Sequence, residues 1–326
     1  MNPIQGIFSV SDDADFRRKA LEIFRFQYDR NPVYKRFCDL TDRPPQSVKR
    51  IEDIPFLPVE FFKYFPVVSA PPPYDAVFES SGTTGMQRSR HYVKDLQIYR
   101  QSYATVFEMF YGPPSDWVIL ALLPSYLERN NSSLIHMMRD LVSRARPGSG
   151  FYLYNYDALY RRLQQSMDSG EKILLFGVSF ALWDFAERYR PRLSNTVVME
   201  TGGMKGRKRE PVREELHALL KEYFGISSVH SEYGMTELLS QAYSYGEGLF
   251  SSPPWMRVLI RDTEDPFDFT GPGKTGGINI IDLANVYSCS FLATRDLGKM
   301  HSDGRFEILG RFDNSDIRGC NLLLLE

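Results

Sequence analysis

The sequence predicts an α/β protein built from layered sheets with flanking helices. Three observations carry this. β-Branched, apolar runs alternate with amphipathic stretches through the middle of the chain. The 326 residues, 43% of them apolar, suffice for a large core. A loop rich in hydroxyls and glycines follows an apolar run and leads into an amphipathic one, the place where α/β folds gather ligands. In chain order, 12–36 reads as a helix, with Ala20, Ile23, Phe24 and Tyr28 forming a one-sided apolar stripe. Pro55, Pro58 and Pro66 then break the chain. A strand is expected near 74–78 and a helix over 95–110. Further strands are expected at 117–123, 173–176, 196–199, 229–233, 256–260, 277–281 and 306–309, with helices at 132–143, 156–167, 180–189 and 211–224 between several of them. No repeat period is visible. We expect one large domain over 1–312, its first 70 residues mostly helical, and a short tail over 313–326.

The loop is the most informative segment. Ser80, Ser81, Gly82, Thr83, Thr84 and Gly85 precede Met86, Gln87 and Arg88. Four hydroxyls and the N–H groups around two glycines can surround phosphoryl oxygens, because glycine lets the backbone approach without a Cβ in the way. Arg88 adds a charged fork for the same oxygens. A solvated Ser/Gly/Thr linker has the same composition, but the strand before and the helix after weigh against it. The Walker arrangement is excluded: Gly273, Lys274 and Thr275 would need a glycine where Asp268 stands.

The pattern S-S-G-T-T-G-x-x-R resembles the phosphate loop of the adenylate-forming superfamily, with Gln87 and Arg88 where that family usually has Pro and Lys. Further pieces follow in order. Tyr233, Gly234, Met235, Thr236 and Glu237 match its Y-G-x-T-E. The resemblance implies an aromatic near adenine, a threonine reaching the α-phosphate and a glutamate holding Mg²⁺, a cation that takes oxygen ligands. Glu200, Thr201, Gly202 and Gly203 resemble the turn beneath the purine. Gly271, Pro272, Gly273, Gly276 and Gly277 resemble the family's glycine turn and following strand, although a plain hairpin would look the same. Thr294, Arg295 and Asp296 resemble the T-x-D segment whose carboxylate takes the ribose hydroxyls. An aspartate in a turn would instead bond its own backbone. Gly310, Arg311, Phe312 and Asp313 resemble the segment whose arginine reaches ribose or phosphate and whose aspartate marks a hinge.

After that hinge the superfamily continues into a mobile domain of roughly 100 residues, a common domain size, carrying a lysine for adenylation. Here Ile317, Arg318, Gly319, Cys320 and Asn321 lead to the last residue, Glu326, and the expectation is a truncated C-terminal domain. The combination resembles LuxE-type acyl-protein synthetases, relatives of phenylacetate-CoA ligases. The family implies ATP-dependent activation of a fatty acid as acyl-AMP, transfer to a cysteine near the C-terminus, and delivery to an acyl reductase partner. Cys320 stands at that position. A cysteine beside four leucines is also an ordinary buried hydrophobe, and only Arg318 and Arg311 are nearby in sequence to favour its thiolate.

Composition restricts the rest. Neither a signal peptide nor an apolar run near the ~20 residues that span a bilayer is visible, so a cytoplasmic protein without a membrane span is expected. Cys38, Cys289 and Cys320 form no disulfide framework. A net charge of -2 excludes a basic stripe for nucleic acid. Lys205, Arg207, Lys208 and Arg209 form a solvated loop or dock an acidic carrier protein. The five histidines lack metal spacing. Tyr126, Phe176, Phe180 and Trp183 are candidates for the acyl pocket, with Gly177 admitting a chain between strand and helix. The competing functions are a carboxylate-CoA or carrier-protein ligase, with Cys320 structural, and a non-catalytic scaffold.

Overall fold

The computed structural model describes residues 6–81, 87–124, 131–202 and 212–312. In chain order its elements begin with helices α1 (Asp13–Arg30) and α2 (Pro32–Leu40), strand β1 (Leu57–Pro58), helix α3 (Phe61–Tyr64), strands β2 (Ala76–Glu79) and β3 (Arg90–Val93) and helix α4 (Leu96–Tyr111). Then follow β4 (Val118–Leu122), α5 (Ser133–Arg144), β5 (Gly150–Phe151), α6 (Tyr156–Asp168), β6 (Ile173–Val178), α7 (Ser179–Tyr189), β7 (Thr196–Thr201), α8 (Arg213–Phe224) and β8 (His230–Tyr233). The remaining strands are β9 (Ala242–Ser244), β10 (Leu249–Ser251), β11 (Met256–Arg261), β12 (Thr275–Asp282), β13 (Phe291–Met300) and β14 (Phe306–Arg311). These elements form two compact units, one from 1–72 with 254–326 and one from 73–253.

The central unit, 73–253, is the alternating α/β part. Strands β5, β4, β6, β7 and β8 pair in parallel in that order, and β9 and β10 extend the sheet antiparallel. Every residue of β4 and β6 is buried, as expected for parallel strands covered on both faces. The helices start at side-chain caps where the sequence supplies them: Asp95 accepts from the Gln97 N–H, Ser132 from Ile135 and Asn155 from Ala158. Beside this sheet stands the hairpin of β2 and β3, whose register pairs Phe78 with His91 and Glu79 with Arg90.

The other unit is an antiparallel sheet, β11-β12-β13-β14, with β1 added parallel to the start of β13. Its core is aromatic. Phe291 is stacked on Tyr34 at 6.0 Å and meets Phe24 and Phe56 edge-on at 6.1 and 6.3 Å. Buried Gln27 ties α1 to the turn before β13: its amide donates to the Asn285 and Val286 carbonyls and its Oε1 accepts from the Ser290 N–H.

One expectation needs correction here. The helix over 12–36 is two helices. Pro32 has no N–H to continue α1, Asn31 is extended, and its side chain instead caps α2 by accepting from the Tyr34 N–H at 3.0 Å. The Thr294, Arg295, Asp296 segment is the middle of β13. Gly276 and Gly277 lie inside β12, in an antiparallel β11–β12 hairpin that includes the expected strand over 277–281, and neither site has room for a side chain. A Cβ on Gly276 would collide with the Arg261 carbonyl, and Gly276 faces Gly298 across the pair, where a Cβ would come 2.5 Å from the Glu307 carbonyl. Gly276→Ala is therefore expected to lower stability by about 1–3 kcal/mol, read as a lower urea midpoint.

Candidate active site

In the central unit the β2–β3 hairpin positions the hydroxyl loop. The Ser80 N–H donates to the Ser89 carbonyl at 3.1 Å, and the Ser89 N–H donates back to Ser80 Oγ at 3.0 Å, so the stem closes just before the loop opens. Ser81 is exposed beyond it. Gly82, Thr83, Thr84 and Gly85 lie outside the described residues, as do Tyr126, Gly203, the Lys205 to Arg209 cluster, Asp313 and Cys320. Arg88 stands 3.7 Å from Glu79. A phosphate would have to draw the guanidinium from that carboxylate.

The second piece gathers where β7 and β8 end. Their register sets Glu200 beside Ser231 and Thr201 beside Glu232, so two carboxyls are buried on adjacent strand ends. Their surroundings separate them. Burial pushes Glu200 upward, but the His217 imidazole at 3.6 Å and the Arg213 guanidinium at 3.5 Å outweigh it and hold the group below the usual carboxylate range. Ser179 Oγ, at the start of α7, also donates to Glu200 Oε2 at 3.0 Å. Gly202 follows with φ +71°, a left-handed turn that suits glycine.

Among the described residues, Glu232 has no cation of this kind beside it. Burial, reinforced by the Glu200 charge and only partly offset by the Thr201 hydroxyl donating to it, pushes its carboxyl up to about 7. The fold therefore favours the protonated form. Below the ordinary value of 4.5 that stabilisation is complete, and it is lost as pH rises through about 7. Glu232→Gln should remove this loss, so that between pH 5 and pH 8 the wild type falls behind the variant by about 2–3 kcal/mol in urea unfolding.

The motif itself runs out of β8. Tyr233 packs edge-on against Phe250 at 6.0 Å, and a Cβ on Gly234 would come 2.6 Å from Glu232 Oε1. The Met235 carbonyl accepts from the Leu238 N–H at 3.1 Å, making a turn that exposes Thr236 in part and buries Glu237. His91, from the hairpin, is fully buried, and its Nδ1 lies 2.8 Å from the Thr236 carbonyl. Burial lowers the imidazole to about 4, so it is neutral at pH 7, and a carbonyl partner requires Nδ1 to carry the proton. This contact brings the stem of the hydroxyl loop and the Tyr233 to Glu237 motif together. No spacing rule would have picked out His91.

Among the described residues no cluster of three His, Cys, Asp or Glu side chains could hold a metal ion. A single buried carboxylate beside a threonine nevertheless fits Mg²⁺, which keeps several waters and phosphate oxygens among its ligands. Glu237 is that carboxylate.

In the antiparallel unit Asp296 and Arg311 are direct cross-strand partners, with Arg311 Nε 3.3 Å from Asp296 Oδ1. The Asp296 side chain is 10% exposed and that of Arg311 81% exposed. Thr294 Oγ1 accepts from the Asp296 N–H and donates to the Ile278 carbonyl. Arg261 braces the segment, donating to the Ile278 and Thr294 carbonyls and to Asn279 Oδ1 at 2.7–2.9 Å, across the space left by Gly277. Sequence reasoning missed Arg261 because a lone arginine in a strand carries no local signal.

The expected acyl slot at Gly177 is not there. A Cβ at this position would come 2.9 Å from the Leu182 side chain and 3.1 Å from the Leu122 carbonyl, so the gap is closed by packing. Phe176 and Phe180 are buried core residues. A cavity of about 450 Å³ lies between α4 and α5, lined in part by Arg100, Tyr103, His136 and Arg139, and includes none of the motif residues.

Solved structures share this fold. A 2-hydroxyisobutyryl-CoA ligase in complex with 2-HIB-AMP and CoA is 13% identical, covers 96% of this chain and 75% of its own, and superposes with a TM-score of 0.66. The same enzyme in its thioesterification state is 15% identical, with 94% and 70% covered and a TM-score of 0.65. ATP-bound MatB from Rhodopseudomonas palustris is 18% identical, with 73% and 48% covered and a TM-score of 0.55. The chain thus spans about half the length of MatB. No curated protein matches it. The fold is that of the adenylate-forming ligases, and the protein is an AMP-forming ligase of that class. More narrowly, it belongs to the LuxE acyl-protein synthetase family, whose model, described as "Acyl-protein synthetase, LuxE", matches residues 7–326.

Proposed function

We propose that this ligase uses ATP and Mg²⁺ to convert a carboxylic acid, of the long-chain fatty class, into acyl-AMP, and then passes the acyl group to the Cys320 thiol. The observation that carries the first half is the His91 contact, which holds the stem of the hydroxyl loop against the Thr236–Glu237 peptide. A carboxylate oxygen attacking the α-phosphorus is an anion attacking an anion, so the catalyst must neutralise and align. In this reading Ser80, Ser81, Gly82, Thr83, Thr84, Gly85 and Arg88 hold the departing pyrophosphate and Thr236 the α-phosphate. Tyr233, Gly234, Met235, Gly202 and Gly203 frame the adenine. Glu237 holds the metal, which when bound supplies positive charge beside the phosphates. Asp296 and Arg311 are assigned to the ribose by their resemblance to the family segments.

In the second step the thiolate sulfur forms a bond to the acyl carbon, and AMP leaves with the electron pair of the C–O bond. Two of the three cysteines are unsuited to this. Cys38 and Cys289 are buried, and burial pushes Cys38 up to about 12 and Cys289 well above a normal thiol. Cys320, on the tail 313–326, remains as the acceptor. An acyl reductase or acyl carrier protein would collect the thioester, in the cytoplasm.

Acid-dependent ATP–pyrophosphate exchange across a panel of carboxylic acids tests activation. A radiolabelled acid should leave a hydroxylamine-labile label on the protein that disappears in Cys320→Ser. A label that persisted would move the acceptor elsewhere. CoA accompanies 2-HIB-AMP in two similar structures of one enzyme, which favours CoA as the alternative acceptor. In that case CoA would accelerate ATP turnover while the protein stayed unlabelled. An absence of ATP affinity by calorimetry would leave a scaffold.

A further inference from the structure

We propose that His91 is a positioning residue that locks the β2–β3 hairpin to the Thr236–Glu237 peptide, so that these two segments move as one body; its consequence for catalysis rests on the adenylation reading above. The geometry is specific. His91 lies on β3, the strand by which the chain leaves the loop, and is paired with Phe78 on β2, the strand by which it enters. Its Nδ1–H donates to the Thr236 carbonyl at 2.8 Å. A peptide unit is planar and its C=O and N–H point in opposite directions, so fixing the Thr236 carbonyl also fixes the Glu237 N–H and the point from which the Glu237 side chain leaves the backbone. The imidazole end of the bond is fully buried and the Thr236 end is part-buried, so removing the imidazole takes away a donor held in place by packing.

The lock does not depend on the working pH. An imidazole held neutral down to about 4 keeps the same donor tautomer throughout the neutral range.

Two substitutions separate this role from bulk packing. His91→Asn keeps an amide N–H close to the Nδ1 position, and His91→Leu keeps apolar volume without the donor. Backbone hydrogen exchange read by mass spectrometry, on the full chain without added nucleotide, should show faster exchange in both 87–93 and 233–239 for His91→Leu, by roughly tenfold. His91→Asn should stay within about threefold of wild type. In ATP–pyrophosphate exchange His91→Leu should lose about 10–100-fold in kcat/KM, with a raised KM for MgATP, as removal of an outer-shell partner commonly does, and His91→Asn should recover most of it. Unchanged exchange at 233–239 in His91→Leu, or equal behaviour of the two variants, would overturn the lock. A wild type with no acid-dependent exchange would instead overturn the adenylation reading, while the hydrogen-exchange comparison would still decide the lock.

Discussion

Glu237→Gln is expected to lower acid-dependent ATP–pyrophosphate exchange by about 10²–10³-fold, the usual effect of losing one preorganised charge-stabilising contact. The substitution keeps shape and hydrogen-bonding capacity but removes the negative charge. The site is buried at the end of a turn whose geometry is fixed at both ends, by the Leu238 N–H donating to the Met235 carbonyl and by His91 donating to Thr236. The fold therefore has little freedom to bring another carboxylate into its place. A Mg²⁺ titration of the exchange rate should show half-saturation moving to higher concentration in the variant, while the thermal midpoint stays close to wild type. Exchange within threefold of wild type would remove Glu237 from the metal role, whatever the fate of the rest of the site.

Phe291→Ala is expected to cost about 3–5 kcal/mol, as large-to-small changes in aromatic cores do. Phe291 is 0% exposed and opens β13, where it pairs with Ile281. Its ring contacts Phe24 from α1, Tyr34 from α2 and Phe56 from the segment before β1, so one side chain joins three separate pieces of the first 72 residues to the sheet. Tyr34 cannot easily shift to fill the hole, because its hydroxyl donates to the Pro55 carbonyl at 2.7 Å. The cavity should therefore persist, and a urea titration should show the loss in the antiparallel unit. A loss below ~1 kcal/mol would mean that the site collapses, since the cost depends on relaxation.

The central unit was largely legible in the sequence. Continuous apolar runs such as 173–176 and 196–199 became β6 and β7, each extended by two residues at its C-terminal end. Those added residues, Gly177, Val178, Glu200 and Thr201, lie beyond the apolar runs and are held as strand by pairing with one another across β6 and β7. The motif order from the hydroxyl loop to Arg311 was also legible, because each motif is a local run of residue types. The antiparallel unit was harder. β13 contains a charged pair, Arg295 and Asp296, and is not among the expected strands, yet β12, β14 and β1 supply its hydrogen bonds from other segments of the chain.

By itself, then, the sequence determined the α/β class, the family and the candidate residues, since periodicity and motif spacing are properties of a local stretch of chain. Tertiary structure alone decided which of those residues meet and in what charge state. Glu200 and Glu232 are chemically identical, yet one is held ionised by Arg213 and His217 while the other is pushed towards neutrality. His91 and Arg261 owe their roles to single carbonyls reached across the fold. Gly177 is closed by a leucine five positions further along the chain. Desolvation, hydrogen bonding between distant segments and steric exclusion depend on distances in space, and a one-dimensional pattern does not contain those distances.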